Sequence, residues 1–329
     1  MDLLRRWGIP PDALQHRTER GSNNTTLFIS LDDARWVLRI SQNLTAAQVA
    51  AEQRLLARLR HAGLPFAVPE PVPALDGRTV IDTPDGPATL SRWLSGIRPD
   101  LADPVMMTRA GEALGQLDVA LRDVPPRDAP HDWRRAEPLQ VHPAVPDVPA
   151  LCADLDAAGV DTTPLRDAAD QVTRWFDSAR ATLPSQVVHG DFAASNMLAD
   201  LETGQVTAVL DFEIAGADFR AQDLVAALIQ TDALDGPDWE HQVTSFITGY
   251  GARVTLVQDE AVAVPPMVLW RAVGTVLWRA GRWRRGQDPL DLIADRIQNV
   301  ATTMDWLTAH ATRLVELIAP RAAMGHRHP

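Results

Sequence analysis

At 329 residues, with 46% hydrophobic and 22% charged side chains, the chain has room for one large core or two lobes and the make-up of an ordinary soluble globular protein. A formal net charge of −12 leaves no basic surplus to neutralise the phosphates of a nucleic acid. The single cysteine, Cys152, excludes an internal disulfide and makes a reducing cytoplasm the expected location. Residues 1–7 lack the long apolar core of a signal peptide. No apolar run approaches membrane length, since residues 261–264 are expected to stop at Pro265-Pro266. The chain contains no lysine, so any cation that grips a phosphate has to be Arg or His.

Residues 17–41 read as a hairpin or meander: 25–31 alternates and is rich in β-formers, Asp32-Asp33 turns, and 34–40 alternates again. Ahead of the first run lies the polar stretch Gly21-Ser22-Asn23-Asn24, whose backbone amides can face a phosphate or simply approach the hairpin. Alternation puts Trp36, Leu38 and Ile40 on one face of the second strand and Arg35, Val37 and Arg39 on the other. The latter face reads either as solvated or as one that presents a cation. Residues 44–62 form a helix with an apolar stripe of Val49, Leu56 and Leu59. Glu52 falls on that stripe, and its neighbours one turn on are Leu55 and Leu56, so its partner has to come from elsewhere.

Prolines 65, 69, 71 and 73 break up the next stretch, and 78–82 and 88–94 read as strands. Residues 91–99 are placed as the crossing to a second lobe. An amphipathic helix covers 103–121, and 123–150, with seven prolines, reads as an irregular excursion over the surface. Two further helices are expected near 151–158 and 164–183.

The chain then gives Val187-Val188-His189-Gly190-Asp191, Asn196 five residues past that Asp, and Val206-Thr207-Ala208-Val209-Leu210-Asp211-Phe212-Glu213. Two buried-strand patterns each deliver a carboxylate at their end, where an unpaired charge is costly without a purpose. Phosphoryl transfer wants this set: one Asp accepts a hydroxyl proton, while an Asn and a second Asp hold Mg²⁺ against the phosphates. His-Gly-Asp-x-x-x-x-Asn followed by Leu-Asp-Phe-Glu resembles the aminoglycoside phosphotransferase superfamily. These small-molecule kinases have a protein-kinase-like fold and include choline kinases and a class of homoserine kinases. The resemblance is tight over 187–226 and loose in 123–180 and beyond 230.

It implies an α+β, protein-kinase-like two-lobed chain. A small β-rich, nucleotide-binding N-lobe would cover 1–92, and a larger, mainly helical C-lobe over 93–329 would carry catalysis and acceptor binding. It implies transfer of the γ-phosphoryl group of ATP, with Mg²⁺, to the hydroxyl of a small molecule. Asp191 becomes the general base, and His189 a structural support of its loop. Asn196 and Asp211 become the metal ligands, each of which reads otherwise as a turn cap. Arg39 grips the phosphates and pairs with Glu52, while Ser22 and Asn24 belong to a phosphate-covering loop that here has one glycine. Asp223 braces the catalytic loop or N-caps the helix that follows it. Glu213 reaches a second metal or the acceptor, or is solvated.

Only eleven residues separate Asp211 from Asp223, too few for the activation segment of a kinase that takes protein substrates. His189 and Asp191 have no Cys or second His nearby for a transition metal. On the acceptor, 231–240 carries four carboxylates and no cation, which suits a polyamine such as an aminoglycoside. Residues 270–285 carry five arginines and three tryptophans, which suits a carboxylate-bearing acceptor such as homoserine. A nucleotide-binding pseudokinase is the alternative from another class.

Overall fold

The computed structural model describes residues 3–10, 13–17, 24–133, 138–179 and 181–319. The first five strands, β1 (Leu14–Arg17), β2 (Asn24–Leu31), β3 (Ala34–Ser41), β4 (Ile81–Thr83) and β5 (Gly86–Arg92), form one antiparallel sheet in the order β1-β2-β3-β5-β4. Alternation sorts its side chains as expected: Leu38, with Trp36 and Ile40, joins Ile29, Ala88 and Leu90 in a small core against Leu4 and Trp7. Val37 and Arg39 take the opposite face and line a cleft. Across that face lies α1 (Ala46–Leu59), two residues shorter at its start and three at its end than the periodicity predicts. Thr45 fixes its start through a capping box with Gln48.

The segment after α1 leaves the sheet: Ala67 pairs with the backbone of Thr207 and Val209. The chain crosses for good after β5. There Ile97 and Ala199 exchange both backbone hydrogen bonds.

The remainder is mainly helical. The helix α2 (Pro104–Leu121), capped by Asp103, is followed by β6 (His131–Asp132), α3 (Val148–Ala157) and α4 (Thr163–Ala179). Next come β7 (Ser185–Val188), the β8 (Met197–Ala199) and β9 (Val206–Val209) hairpin, and β10 (Gly216–Phe219). The last four helices among the described residues are α5 (Ala221–Gln230), α6 (Trp239–Gly251), α7 (Gln258–Arg284) and α8 (Leu290–Ile318). β10 pairs antiparallel with β7 and parallel with β6. The result is the α+β arrangement of a β-rich N-terminal part and a larger helical part, with a second, much larger core in the latter.

Two expectations fail here. The stretch 123–150 is more than a surface excursion: Val145 and His142 are buried, and Trp133 N–H donates to Ile214 O. Its partners lie far along the chain, so the prolines announced irregular backbone without revealing what it covers. The apolar run at 261–264 also does not stop at Pro265-Pro266, which sit inside the 27-residue α7. Two prolines remove helix hydrogen bonds. The lost bonds are outweighed by packing, because Val264, Pro265, Met267 and Val268 are buried where α7 meets α4, α5 and α8. By length and composition α7 is apolar enough to cross a membrane, and it lies in the core of the helical part.

The α2 and α6 pair approaches unusually closely. A Cβ on Gly249 would lie 1.8 Å from Thr108 O, and one on Gly111 would lie 2.0 Å from Phe246 O. Only glycine at both positions lets these two backbones touch.

Candidate active site

The loop after β7 is held from below. Asp223 is fully buried, and its two carboxylate oxygens accept the backbone N–H groups of His189 and Gly190, each at 2.6 Å. It lies in the first turn of α5, whose N-cap position is Arg220, so the capping reading of Asp223 is wrong. Its carboxylate reaches outward to the neighbouring loop rather than back to its own helix. His189 is buried as well. Its Nδ1 accepts the N–H of Asp191 at 3.1 Å, which leaves Nε2–H to donate to Leu210 O at 3.0 Å. One imidazole thereby ties the Asp191 loop to the strand end that delivers Asp211.

Asp191 and Asn196 are in contact. Asn196 Nδ2 donates to Asp191 O and Oδ2, both at 2.9 Å. These bonds close the 191–196 turn, as a cap would, and use only the amide nitrogen, so Oδ1 keeps its lone pairs for another partner. Asp211 adopts φ of +65°, a left-handed conformation that Asp tolerates better than most residues. Its Oδ1 is shielded from solvent and accepts no hydrogen bond; the Arg39 Nη1 lies 3.6 Å away. A carboxylate oxygen with no donor, in a cleft that Asn196 also lines, fits Mg²⁺, which takes one or two protein oxygens and completes its shell with phosphate and water. Among the described residues no group of three His, Cys, Asp or Glu converges as a metal site.

Arg39 is pinned between two carboxylates. It donates to Glu52 of α1, which is 1% exposed, and faces Asp211. Burial alone would lower its pKa, yet Glu52, Asp211 and Glu213 hold the guanidinium above its ordinary value. Asn24 Nδ2, from the first residue of β2, donates to Glu213. Glu213 is therefore not solvated: it is buried, and burial with the nearby Asp211 charge raises its pKa. Ser22 lies outside the described residues. The cleft of about 400 Å³ beside Arg39, Asn196 and Asp211 is walled by Phe28, Val37, Leu198 and Leu210, and by residues 91–94. An apolar slot with polar groups on its lining can take a flat base and its phosphates.

Asp191 lines a second cavity of about 370 Å³, with Glu213, Asp218, Gln222, Arg271, Trp133, Trp270 and Trp278. Two further residues touch Asp191: Gln230, which the sequence does not single out, and Arg271, which reads there only as one of five arginines in an acceptor-binding segment. Gln230 Nε2 donates to its Oδ1 at 2.6 Å, and Arg271 Nη2 stands 3.3 Å from the same oxygen. They lie 39 and 80 residues further along, with no motif to tie them to Asp191. Of the arginines in 270–285, Arg279 and Arg282 pair with Asp288, and Arg284 with Asp154. The Arg271 guanidinium is desolvated, which lowers its pKa against the pull of Asp191, Asp223 and Asp218.

The chain has relatives among known proteins. A family model described as the phosphotransferase enzyme family matches residues 16–265. A homoserine kinase from Methylobacillus flagellatus is 26% identical over 313 residues, covering 88% of this chain and 90% of its own. Among solved structures, a microcompartment-associated aminopropanol kinase superposes with a TM-score of 0.72 at 20% identity, covering 95% of this chain and 98% of its own. An amicoumacin kinase in complex with AMP-PNP and Ca²⁺ gives 0.69 at 15% identity, covering 97% and 93%. The fold is protein-kinase-like.

Proposed function

Because this chain belongs to the phosphotransferase enzyme family and is a small-molecule kinase, we propose that it moves the γ-phosphoryl group of ATP to the hydroxyl of a small amino acid of the homoserine type. The observation that carries this choice is Arg271. A desolvated guanidinium with donors to spare lines the acceptor cavity within reach of Asp191, where an acceptor carboxylate would meet it bidentately. The relatives named homoserine kinase support the same choice.

In this reading residues 1–92 hold the nucleotide and 93–329 the acceptor. Asp191 accepts the hydroxyl proton as the oxygen bonds to phosphorus and the bond to the ADP leaving group breaks. Its orientation is set by Gln230 and Asn196, so little reorganisation is needed at the moment of reaction. Arg39 holds phosphate oxygens, oriented by Glu52, and Asn24 with Glu213 closes the cleft from the sheet side. Mg²⁺ on Asn196 and Asp211 would supply neutralisation of the triphosphate charge. A cytoplasmic enzyme acting on a metabolite, with no protein or nucleic-acid partner, completes the proposal.

One observation favours a second reading. Beyond Arg271 and Thr275 lies a further cavity of about 460 Å³ that carries Asp232 and Asp235. A polycationic acceptor of the aminoglycoside type would fill both cavities. ADP release with Mg²⁺-ATP, measured against L-homoserine, 1-amino-2-propanol and kanamycin, tests the choice. Turnover of homoserine is expected, with Arg271→Met raising its KM about 10- to 100-fold and leaving aminopropanol unchanged. Turnover of kanamycin alone would overturn the homoserine reading. Absence of all turnover, with nucleotide still bound, would indicate a pseudokinase.

A further inference from the structure

The acid that braces the catalytic loop has an acid for a neighbour. Asp118, on α2, is 1% exposed, and its Oδ2 accepts the Tyr250 hydroxyl of α6 at 2.7 Å. Its Oδ1 is buried and has no donor. The Asp118 carboxyl lies within hydrogen-bonding reach of Asp223, whose two oxygens already accept the His189 and Gly190 N–H groups.

Two ionised carboxylates cannot share such a place. Unpaired buried charges cost several kcal/mol each, and like charges in contact add to that. Of the nearby cations, Arg220 is committed to Glu260 and to Thr255 O, and Arg271, which feels the Asp223 charge, stands against Asp191. A single proton resolves the conflict. Asp223 already accepts an N–H on each oxygen, so it stands as an acceptor on both sides. Asp118 has one oxygen with nothing to bond to. We propose that Asp118 is a neutral carboxylic acid that donates its proton from Oδ1 to Asp223, and is thereby a positioning residue for the loop carrying Asp191.

A carboxylate has lone pairs enough for two N–H groups and one O–H. The route from α6 to the reaction centre is then Tyr250 to Asp118 to Asp223 to the His189-Gly190 backbone, every step a hydrogen bond. Burial first, and the Asp223 charge second, push the Asp118 carboxyl well above the ordinary range, against the Tyr250 bond, which lowers it. The groups facing the pair are Arg220 at the start of α5, Tyr250 on α6, Arg271 on α7, whose charge interacts with Asp223, and Gln186 on β7, whose amide donates to Asp118 O. Among these, the Tyr250 phenol is itself pushed up by burial and then by Asp118. Loss of the Asp118 proton in alkali turns the bond to Asp223 into a repulsion and frees the loop.

Asp118→Asn makes the test, because an amide donates to Asp223 and accepts from Tyr250 with no proton to lose. Amide hydrogen exchange of 186–192 in the full chain without ligands, followed from about pH 6 to about pH 10 and corrected for intrinsic rates, reads the loop without reference to any acceptor. The wild-type loop is expected to lose protection towards alkali. Asp118→Asn keeps it, and the alkaline midpoint of kcat with L-homoserine moves up by at least about one pH unit. Asp118→Leu, which removes the donor, is expected to lose protection at every pH and about 10- to 100-fold in kcat, with the KM for ATP little changed. If Asp118→Asn fails to fold, or matches Asp118→Leu, the carboxylate charge is required and the proposal falls. It falls equally if the wild type and Asp118→Asn share one exchange profile. Should homoserine prove not to be the acceptor, the exchange experiment stands unaltered.

Discussion

The charged groups at the centre of this cleft hold one another in place, and single substitutions test what each contributes. Asp191→Ala is expected to lower kcat by about 10²- to 10⁴-fold while nucleotide affinity stays within about twofold, read by steady-state kinetics and by calorimetric titration with AMP-PNP. Arg39→Ala strands Glu52, buried on α1, and is expected to cost about 3–5 kcal/mol in denaturant unfolding. Adding Glu52→Gln should restore most of that stability and none of the nucleotide affinity. An unchanged unfolding midpoint in the single variant would remove the ion pair from this account.

Glu213 gives a pH effect whose sign can be worked out. Its folded-state pKa is raised by burial and by Asp211, so between the ordinary carboxylate value and the raised one the folded chain holds more protons than the unfolded chain. Stability therefore falls as pH climbs through that window. Glu213→Gln should flatten the fall and raise the melting temperature at neutral pH relative to the wild type, checked by thermal unfolding across the acid and neutral range.

At the scale of elements, what the sequence made legible was whatever repeats at short range. The period of α1 exposed Glu52 as an inward carboxylate, and the alternation in β3 put Arg39 on the face of the cleft. The spacing from 189 to 213 pointed to Asp191 and Asn196, which touch, and to Asp211, which lines the same cleft as Asn196. What stayed hidden depends on partners far along the chain. Asp118 and Tyr250 are 132 residues apart, Arg271 and Asp191 are 80, and no local pattern joins either pair. Asp223 was open to misreading because an Asp before an apolar run looks like a cap. It lies in the first turn of α5, aimed at another loop. Pro265 and Pro266 misled for a related reason, since local breaking was set against packing on several sides.

The glycine contact between α2 and α6 belongs to the same scale. Gly249→Ala has to push α6 off Thr108, and is expected to cost about 1–3 kcal/mol in thermal unfolding. Gly251, two residues on in the same helix, meets nothing within 4 Å, so Gly251→Ala is expected to leave stability unchanged or improve it by about 0.4–1 kcal/mol. Equal effects of the two would mean that the close approach is unimportant.

At the scale of the whole molecule, the sheet part and the helical part meet through polar contacts as well as through chain crossings. Arg39 faces Asp211, Asn24 reaches Glu213, and Gln48 Nε2 lies 3.3 Å from the His131 ring. A nucleotide bound in the cleft between them stabilises both parts together. With AMP-PNP at about 100 times its Kd, mass action contributes about 2.7 kcal/mol, visible as a raised melting temperature. Asp211→Ala should leave a shift that no longer depends on Mg²⁺. A shift that kept its metal dependence would take Asp211 out of the metal site.

The guanidinium between Glu52 and Asp211 also decides how this enzyme can be found by chemistry. Nucleotide probes that acylate an ε-amine beside the triphosphate have no such amine to attack anywhere in the chain, so a proteome surveyed that way would pass over this kinase in silence. Dicarbonyl reagents that condense with guanidinium are the matching bait, and ATP should shield Arg39 from them.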